Sequence, residues 1–333
     1  MMRISNKKGH GGVVAAVGQA LAVLLVGLML MVSGAQAGNE PSADGNGYQG
    51  ADYWRDVTQG VSGYSTVKDL EAGVLINRSG EGWRQVRNDK VKPSGAWALS
   101  LTLLVLASAF LLLGRSRLRE PRTGRTLERW KRLDRWLHWS VAGMFIVLAV
   151  TGLSILYGRH FLPDVMGETV FATWMQGGKL VHNYLGPLFL VCLLLMVLKW
   201  ALRNRFTLVD LKWLVSGGGL FTREHPKAGY SNGGEKLWFW FLALGGLAVS
   251  ASGLALDFPA YLGLREDLQL ANLVHAIGSL ALICGAFGHA YMGTVAVEGA
   301  LEGMVTGQVD ESWAKQHHEL WYEEVKAKQA GQK

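Results

Sequence analysis

Two histidines, His275 and His289, stand in one apolar stretch, ANLVHAIGSLALICGAFGHAYMGTVAV at 271–297. Ionisable side chains inside a membrane-crossing segment are costly, so each calls for a function. Their spacing puts both on one face of a helix, about 21 Å apart along its axis at about 1.5 Å per residue. One then lies near each end of a bilayer core about 30 Å thick. Two more histidines begin apolar runs, His138 at Leu137–Tyr157 and His182 at Leu180–Leu202. Sorted by depth, the four form two pairs, His138 with His289 and His182 with His275. Imidazoles facing each other at one level across a helix bundle are the axial ligands of haem iron. The pairing predicts two haems stacked across the membrane, each iron bound by two histidines. Gly143, Gly186, Gly278, Gly285 and Gly288 are the predicted points where a macrocycle approaches the backbone. A proton relay in a transporter is the other chemistry such residues allow. It needs broken helices around a midplane site, whereas these histidines stand at span ends.

Five apolar runs must position these groups. Besides the three already named, they are Gly95–Leu113 and Leu237–Leu256, neither of which carries a histidine. The composition agrees, with 50% hydrophobic and 18% charged residues among 333, and the long apolar blocks mark a polytopic membrane protein. The net charge of +7 does not point to nucleic acid, because the basic residues cluster in loops. Arg115, Arg117, Arg119, Arg122, Arg125, Arg129, Lys131, Arg132 and Arg135 separate the first two runs. Arg203, Arg205, Lys212, Arg223 and Lys227 separate the third and fourth, against Arg159, Lys179 and Arg265 on the opposite side. The positive-inside rule makes the richer side cytoplasmic, in a multi-pass protein of the bacterial inner membrane.

The chain begins with Arg3, Lys7 and Lys8, an apolar run Val13–Val32, and Ala35-Gln36-Ala37, which together read as a signal peptide over 1–37. The expected fold is an all-α membrane protein. A periplasmic segment (38–94) and one extra transmembrane helix (95–114) precede a four-helix haem-binding bundle (126–297), and a cytoplasmic tail (298–333) follows. Within 38–94, Val74-Leu75-Ile76 reads as a short strand, and no catalytic constellation is visible. Cys192 and Cys284 lie in apolar runs, without a CxxCH or cluster for covalent haem or iron–sulfur, so they read as small buried hydrophobes and any haem is non-covalent. His10, His160, His225, His317 and His318 are assigned to solvent or subunit contact. The run Arg129–Trp139 reads as an interfacial belt of Trp and Arg, whose arginines could also pair with haem propionates.

The motifs RxxRWLHW at Arg132–Trp139, GGKLVHNYLGP at Gly177–Pro187, YSNGGEKLWFW at Tyr230–Trp240, VHAIGSL at Val274–Leu280 and GHAYMGTV at Gly288–Val295 resemble the gamma subunit of membrane-bound formate dehydrogenase. So does the tail segment VDESWAKQHHELWYEEV from Val309. The resemblance covers about Thr126–Val325. It implies a dihaem cytochrome b with His138, His182, His275 and His289 as ligands to two haem b. It also implies a quinone site, for menaquinone or ubiquinone, beside the cytoplasmic haem at Asn232. The plain alternative for Asn232 is a cap for the helix starting near Lys236. The implied partners are an iron–sulfur (beta) subunit and a molybdenum catalytic (alpha) subunit. This chain would then be the electron-transferring, quinone-reducing subunit of formate respiration, with no formate-oxidising site of its own. A cytochrome b subunit of a nickel–iron hydrogenase or thiosulfate reductase has the same cofactors and another donor. The signal, the 38–94 segment and the extra span depart from the compact form of the family.

Overall fold

The computed structural model describes residues 78–219, 226–261 and 265–331. The expected signal peptide (1–37), most of 38–94 with Val74–Ile76, His10 and His225 lie outside them. Five helices are long and apolar enough to cross a membrane. Helix α1 (Arg78–Gln85) runs through a π-helical turn (Val86–Val91) into α2 (Lys92–Leu113). This first helix starts well before Gly95, because Arg84, Arg87, Asp89 and Lys90 interrupt the apolar signal without breaking the helix. Strand β1 (Thr126–Glu128) leads to α3 (Arg132–Tyr157), the short α4 (Leu162–Met166) and α5 (Glu168–Trp200). Next come α6 (Leu208–Val215), α7 (Gly233–Asp257) and α8 (Arg265–Tyr291), which ends in a π turn (Met292–Ala296). The tail forms α9 (Ala300–Thr306), β2 (Gln308–Asp310), α10 (Glu311–His317) and α11 (Glu319–Ala330).

Helices α3, α5, α7 and α8 make the bundle, with α3 against α5, α7 against α8, and α5 against α7. Val141, Phe189, Leu193, Met196, Phe239, Leu242 and Leu282 fill its centre. Helix α2 packs outside, on α8, through Leu99, Leu103, Leu280 and Ile283. The Tyr157 hydroxyl locks it there by donating to the Lys92 carbonyl at 2.8 Å. Away from this seam α2 is bare and apolar, Leu112 being 83% exposed, as a lipid-facing surface requires.

The tail folds back onto the loop between α2 and α3. Strands β1 and β2 pair antiparallel, with Leu127 opposite Val309, and Leu127, Val309, Trp313, Ala314 and Trp321 form a small core. Asp310 caps α10 by accepting from the Ser312 amide at 2.9 Å, and also accepts from the Gly124 amide at 2.9 Å. Burial raises its carboxyl pKa, but these hydrogen bonds outweigh burial and leave it below the ordinary carboxylate value. His318 corrects the reading from sequence: it is 1% exposed, and its Nδ1 lies 2.9 Å from the Gly229 carbonyl. Burial, aided by the Arg129 charge, keeps it neutral at ordinary pH. His160 is exposed, as expected, and His317 is half-buried.

Candidate haem centre

Each histidine sits where helix packing brings a partner to it. The His182 and His275 rings, on α5 and α8, face each other with centroids 6.0 Å apart. The His138 and His289 rings, on α3 and α8, do the same at 6.1 Å. The four residues chosen from sequence therefore form the two expected pairs, and α8 belongs to both. One detail differs. Helices α5 and α8 extend past the apolar runs, to Glu168 and Arg265, so His182 and His275 lie inside helices rather than at their starts. The mixed segment Glu168–Gly178 and the charged first turn of α8 are too polar to register as span.

The separations suit a shared metal. A metal–imidazole bond of about 2 Å on each side, plus about 1 Å from nitrogen to ring centre, gives centroids about 6 Å apart. Among the described residues no group of three or more His, Cys, Asp or Glu could hold a metal ion. Two facing histidines complete only a metal that brings its other ligands, as haem iron brings its ring nitrogens.

Around the His182/His275 pair lies a cavity of about 440 Å³, within the range of about 300–1,000 Å³ usual for cofactor sites. Its walls are largely apolar, with Leu148, Phe189, Leu254 and Ile283 among them, and Gly186 is bare of neighbours on its side-chain face. Its polar lining includes Arg87, Lys179 and Asn272. Arg87 Nε and Asn272 Oδ1 are buried without a hydrogen-bond partner, a state that a ligand with its own polar edge would relieve. Haem has such an edge in its propionates. Arg87 comes from the π turn ahead of α2, so the added helix contributes to this cavity, which the sequence did not suggest.

The tail-side pair is framed by indoles. Trp238 stacks on His289 at 5.1 Å and 13°, and Trp139 meets His138 edge-on at 5.1 Å. His138 Nδ1 is buried with no partner. Gly143 and Gly288 face open space, whereas a methyl on Gly285 would run into Trp238 and Phe241, and one on Gly278 into Val249. The glycines that lie against the paired histidines are Gly152 and Gly253, where a methyl would come 3.3 Å from His182 Cε1 and 3.0 Å from His275 Cε1. Neither was singled out in the sequence, because nothing in a linear pattern shows that two helices bring a glycine opposite a histidine.

Asn232 is the N-cap of α7, which starts at Gly233 rather than near Lys236. Its Oδ1 accepts from the Glu235 amide at 2.9 Å, and Glu235 Oε2 accepts from the Asn232 amide at 3.0 Å. This capping box uses the side-chain carbonyl and leaves Nδ2 as the atom that could donate to a ligand. Beneath the turn, Lys236 Nζ donates to Asp210 Oδ2 at 2.7 Å. This buried ion pair ties α6 to the start of α7. Burial raises the Asp210 pKa, but the bonds from Lys236 and Thr207 prevail and lower it.

A family profile described as prokaryotic cytochrome b561 matches residues 129–307. The nitrate-inducible formate dehydrogenase cytochrome b556(Fdn) subunit of Escherichia coli (strain K12) is 29% identical over 208 residues, covering 61% of this chain and 93% of the relative. The formate dehydrogenase cytochrome b556(fdo) subunit of the same strain is 27% identical over 205 residues, covering 60% and 94%. The cytochrome b556 subunit of formate dehydrogenase from Haemophilus influenzae is 29% identical over 193 residues, covering 56% and 78%. Five long apolar helices, facing histidine pairs and a profile match over more than half of its length place the chain in one family: it belongs to the prokaryotic cytochromes b561.

Proposed function

We propose that this chain is the membrane electron-transfer subunit of a formate dehydrogenase. It takes electrons from iron–sulfur and molybdenum partner subunits at the His182/His275 end and passes them to a quinone at the His138/His289 end. The observation that carries this reading is the pair of matched ring separations, 6.0 and 6.1 Å, on one shared helix. The similar proteins are subunits of formate dehydrogenases, which points to formate as the electron source. Bound haem b supplies a one-electron iron centre at each pair. The chain's own residues do the rest. Helix α8 spaces the two pairs about 21 Å apart along its axis. Largely apolar walls shape the His182/His275 cavity, and Arg87 and Lys179 would meet the carboxylate edge of its ligand. The basic loops make the tail side cytoplasmic and the His182/His275 end periplasmic, in a bacterial inner membrane. Residues 1–114 are then an addition to a bundle of 126–297 that holds every ligand.

Haem quantification and a reduced-minus-oxidised spectrum of the purified complex test this reading. Two b-type haems per chain are expected, and one or none in an intact preparation overturns it.

We place the quinone at Asn232, near the start of the helix whose Trp238 stacks on His289. Because the capping box is present, Asn232→Ala should cost about 0.5–2 kcal/mol of stability as well as a quinone hydrogen bond worth about 0.5–1.5 kcal/mol. Asn232→Asp separates the two, since a carboxylate still caps but has no amide hydrogens to donate. In that variant both haems should remain reducible by formate, melting should be unchanged, and reoxidation by quinone should slow. Reoxidation at the normal rate would remove the quinone from Asn232.

A further inference from the structure

We infer that Thr151 and the Val249 carbonyl fix the tautomer of the His182/His275 pair and make its haem the lower-potential of the two. The inference rests on the dihaem reading and concerns how the chain tunes one of the two sites.

The argument is one of hydrogen counting. Thr151 Oγ1 lies 2.8 Å from His182 Nδ1, and also 2.8 Å from the Val147 carbonyl one turn back and 3.2 Å from that of Leu148. A hydroxyl has one hydrogen and carbonyls only accept, so that hydrogen goes to the helix backbone. The oxygen then meets Nδ1 with a lone pair, and Nδ1 must carry the ring hydrogen. His275 Nδ1 lies 2.9 Å from the Val249 carbonyl, which leaves the same assignment. Both Nε2 atoms therefore hold the lone pair that a metal takes. Thr151 is 6% exposed, so water does not compete for the bond.

The backbone braces both rings against turning. Gly152, next to Thr151 on α3, lies under His182, and Gly253, one turn beyond Val249 on α7, lies under His275. Each ligand is thus oriented by the helix antiparallel to its own. The His138/His289 pair is built differently. His138 Nδ1 is buried without a hydrogen-bond partner, and Trp139 spends its indole N–H on the Met304 carbonyl rather than on the histidine.

An imidazole that donates its second N–H to a fixed oxygen becomes a more basic, more electron-releasing ligand. Greater donation favours the ferric over the ferrous state and lowers the reduction potential. Two such donors act on the His182/His275 site, whereas the other pair contains a histidine without one. Thr151 is thus a positioning residue, and it tilts the potentials so that an electron moves downhill from that site toward the tail side.

The test is a spectroscopic redox titration of the full complex, with haem content measured in parallel. Loss of one component in His182→Ala identifies the haem held by that pair. In the unmodified protein this haem should titrate at the lower potential. Thr151→Val keeps the shape and removes the acceptor. It should retain both haems, raise the midpoint of that one alone, and leave the other in place, while Thr151→Ser should restore the original value. An unshifted midpoint in a fully loaded Thr151→Val complex overturns the inference. So does a reversed order of potentials in the unmodified protein, once His182→Ala has identified the component held by that pair. A haem count other than two would instead defeat the dihaem reading itself.

Discussion

A His275→Ala chain should bind one haem, and the haem it keeps should be the one held by His138 and His289. On the dihaem reading, the substitution removes one of two axial ligands and leaves the other, His182, held by Thr151 but facing an empty position. Non-covalent haem with one ligand and a half-vacated cavity has little to retain it. The second pair should not feel the change. His289 lies about four turns further along α8, at about 3.6 residues per turn. Leu280, Leu282 and Ile283, packed in the cores between them, keep the helix in place. On the proposed function, formate should no longer reduce the remaining haem, whereas a diffusible chemical reductant still should. Transfer from formate to quinone at the normal rate in this variant would show that the path does not pass through His275.

Replacing Arg129 with leucine should release the tail while the bundle stays folded. Arg129 is 5% exposed, and its guanidinium lies over the rings of Tyr230, Trp313 and Trp321 at 5.2, 5.0 and 5.4 Å. Its Nη2 also reaches Glu235 Oε1 at 3.2 Å. The side chain therefore ties the β1 strand, the loop before α7 and the tail helices to one cation. A buried charge that loses its partner typically costs about 3–5 kcal/mol. Here the exposed side of Glu235 lessens that cost, and the lost cation–π contacts, at about 0.5–2 kcal/mol each, add to it. The expected result is rapid proteolysis after Val297 with both haem signals retained. Lysine should not rescue it, because a point ammonium cannot stack between rings. A tail as resistant as that of the unmodified protein would show that Arg129 does not hold it.

The sequence displayed the paired histidines and hid what supports them. His138, His182, His275 and His289 were legible because helical spacing and span polarity are one-dimensional properties. Five spans were legible for the same reason, though their lengths were not. Glu168–Gly178 and Val86–Val91 are helical through packing and continuity rather than apolar content. The two-stranded pairing of Thr126–Glu128 with Gln308–Asp310 left no trace, since three residues are too few to show a period. His318 was misread because a histidine in a charged tail looks solvated, and only the folded tail shows Trp313 and Trp321 around it. Thr151 passed unnoticed among the other small residues of its span. Its role exists only once α5 lies beside α3.

The pairing of β1 with β2 also sets an order of events during biosynthesis. Strand β1 precedes the bundle and β2 follows it, so a nascent chain inserts four helices before the second strand has left the ribosome. Until then Arg129 lacks Trp313 and Trp321 from the tail. The small core of Leu127, Val309, Trp313 and Trp321 therefore closes only after the bundle helices have been made.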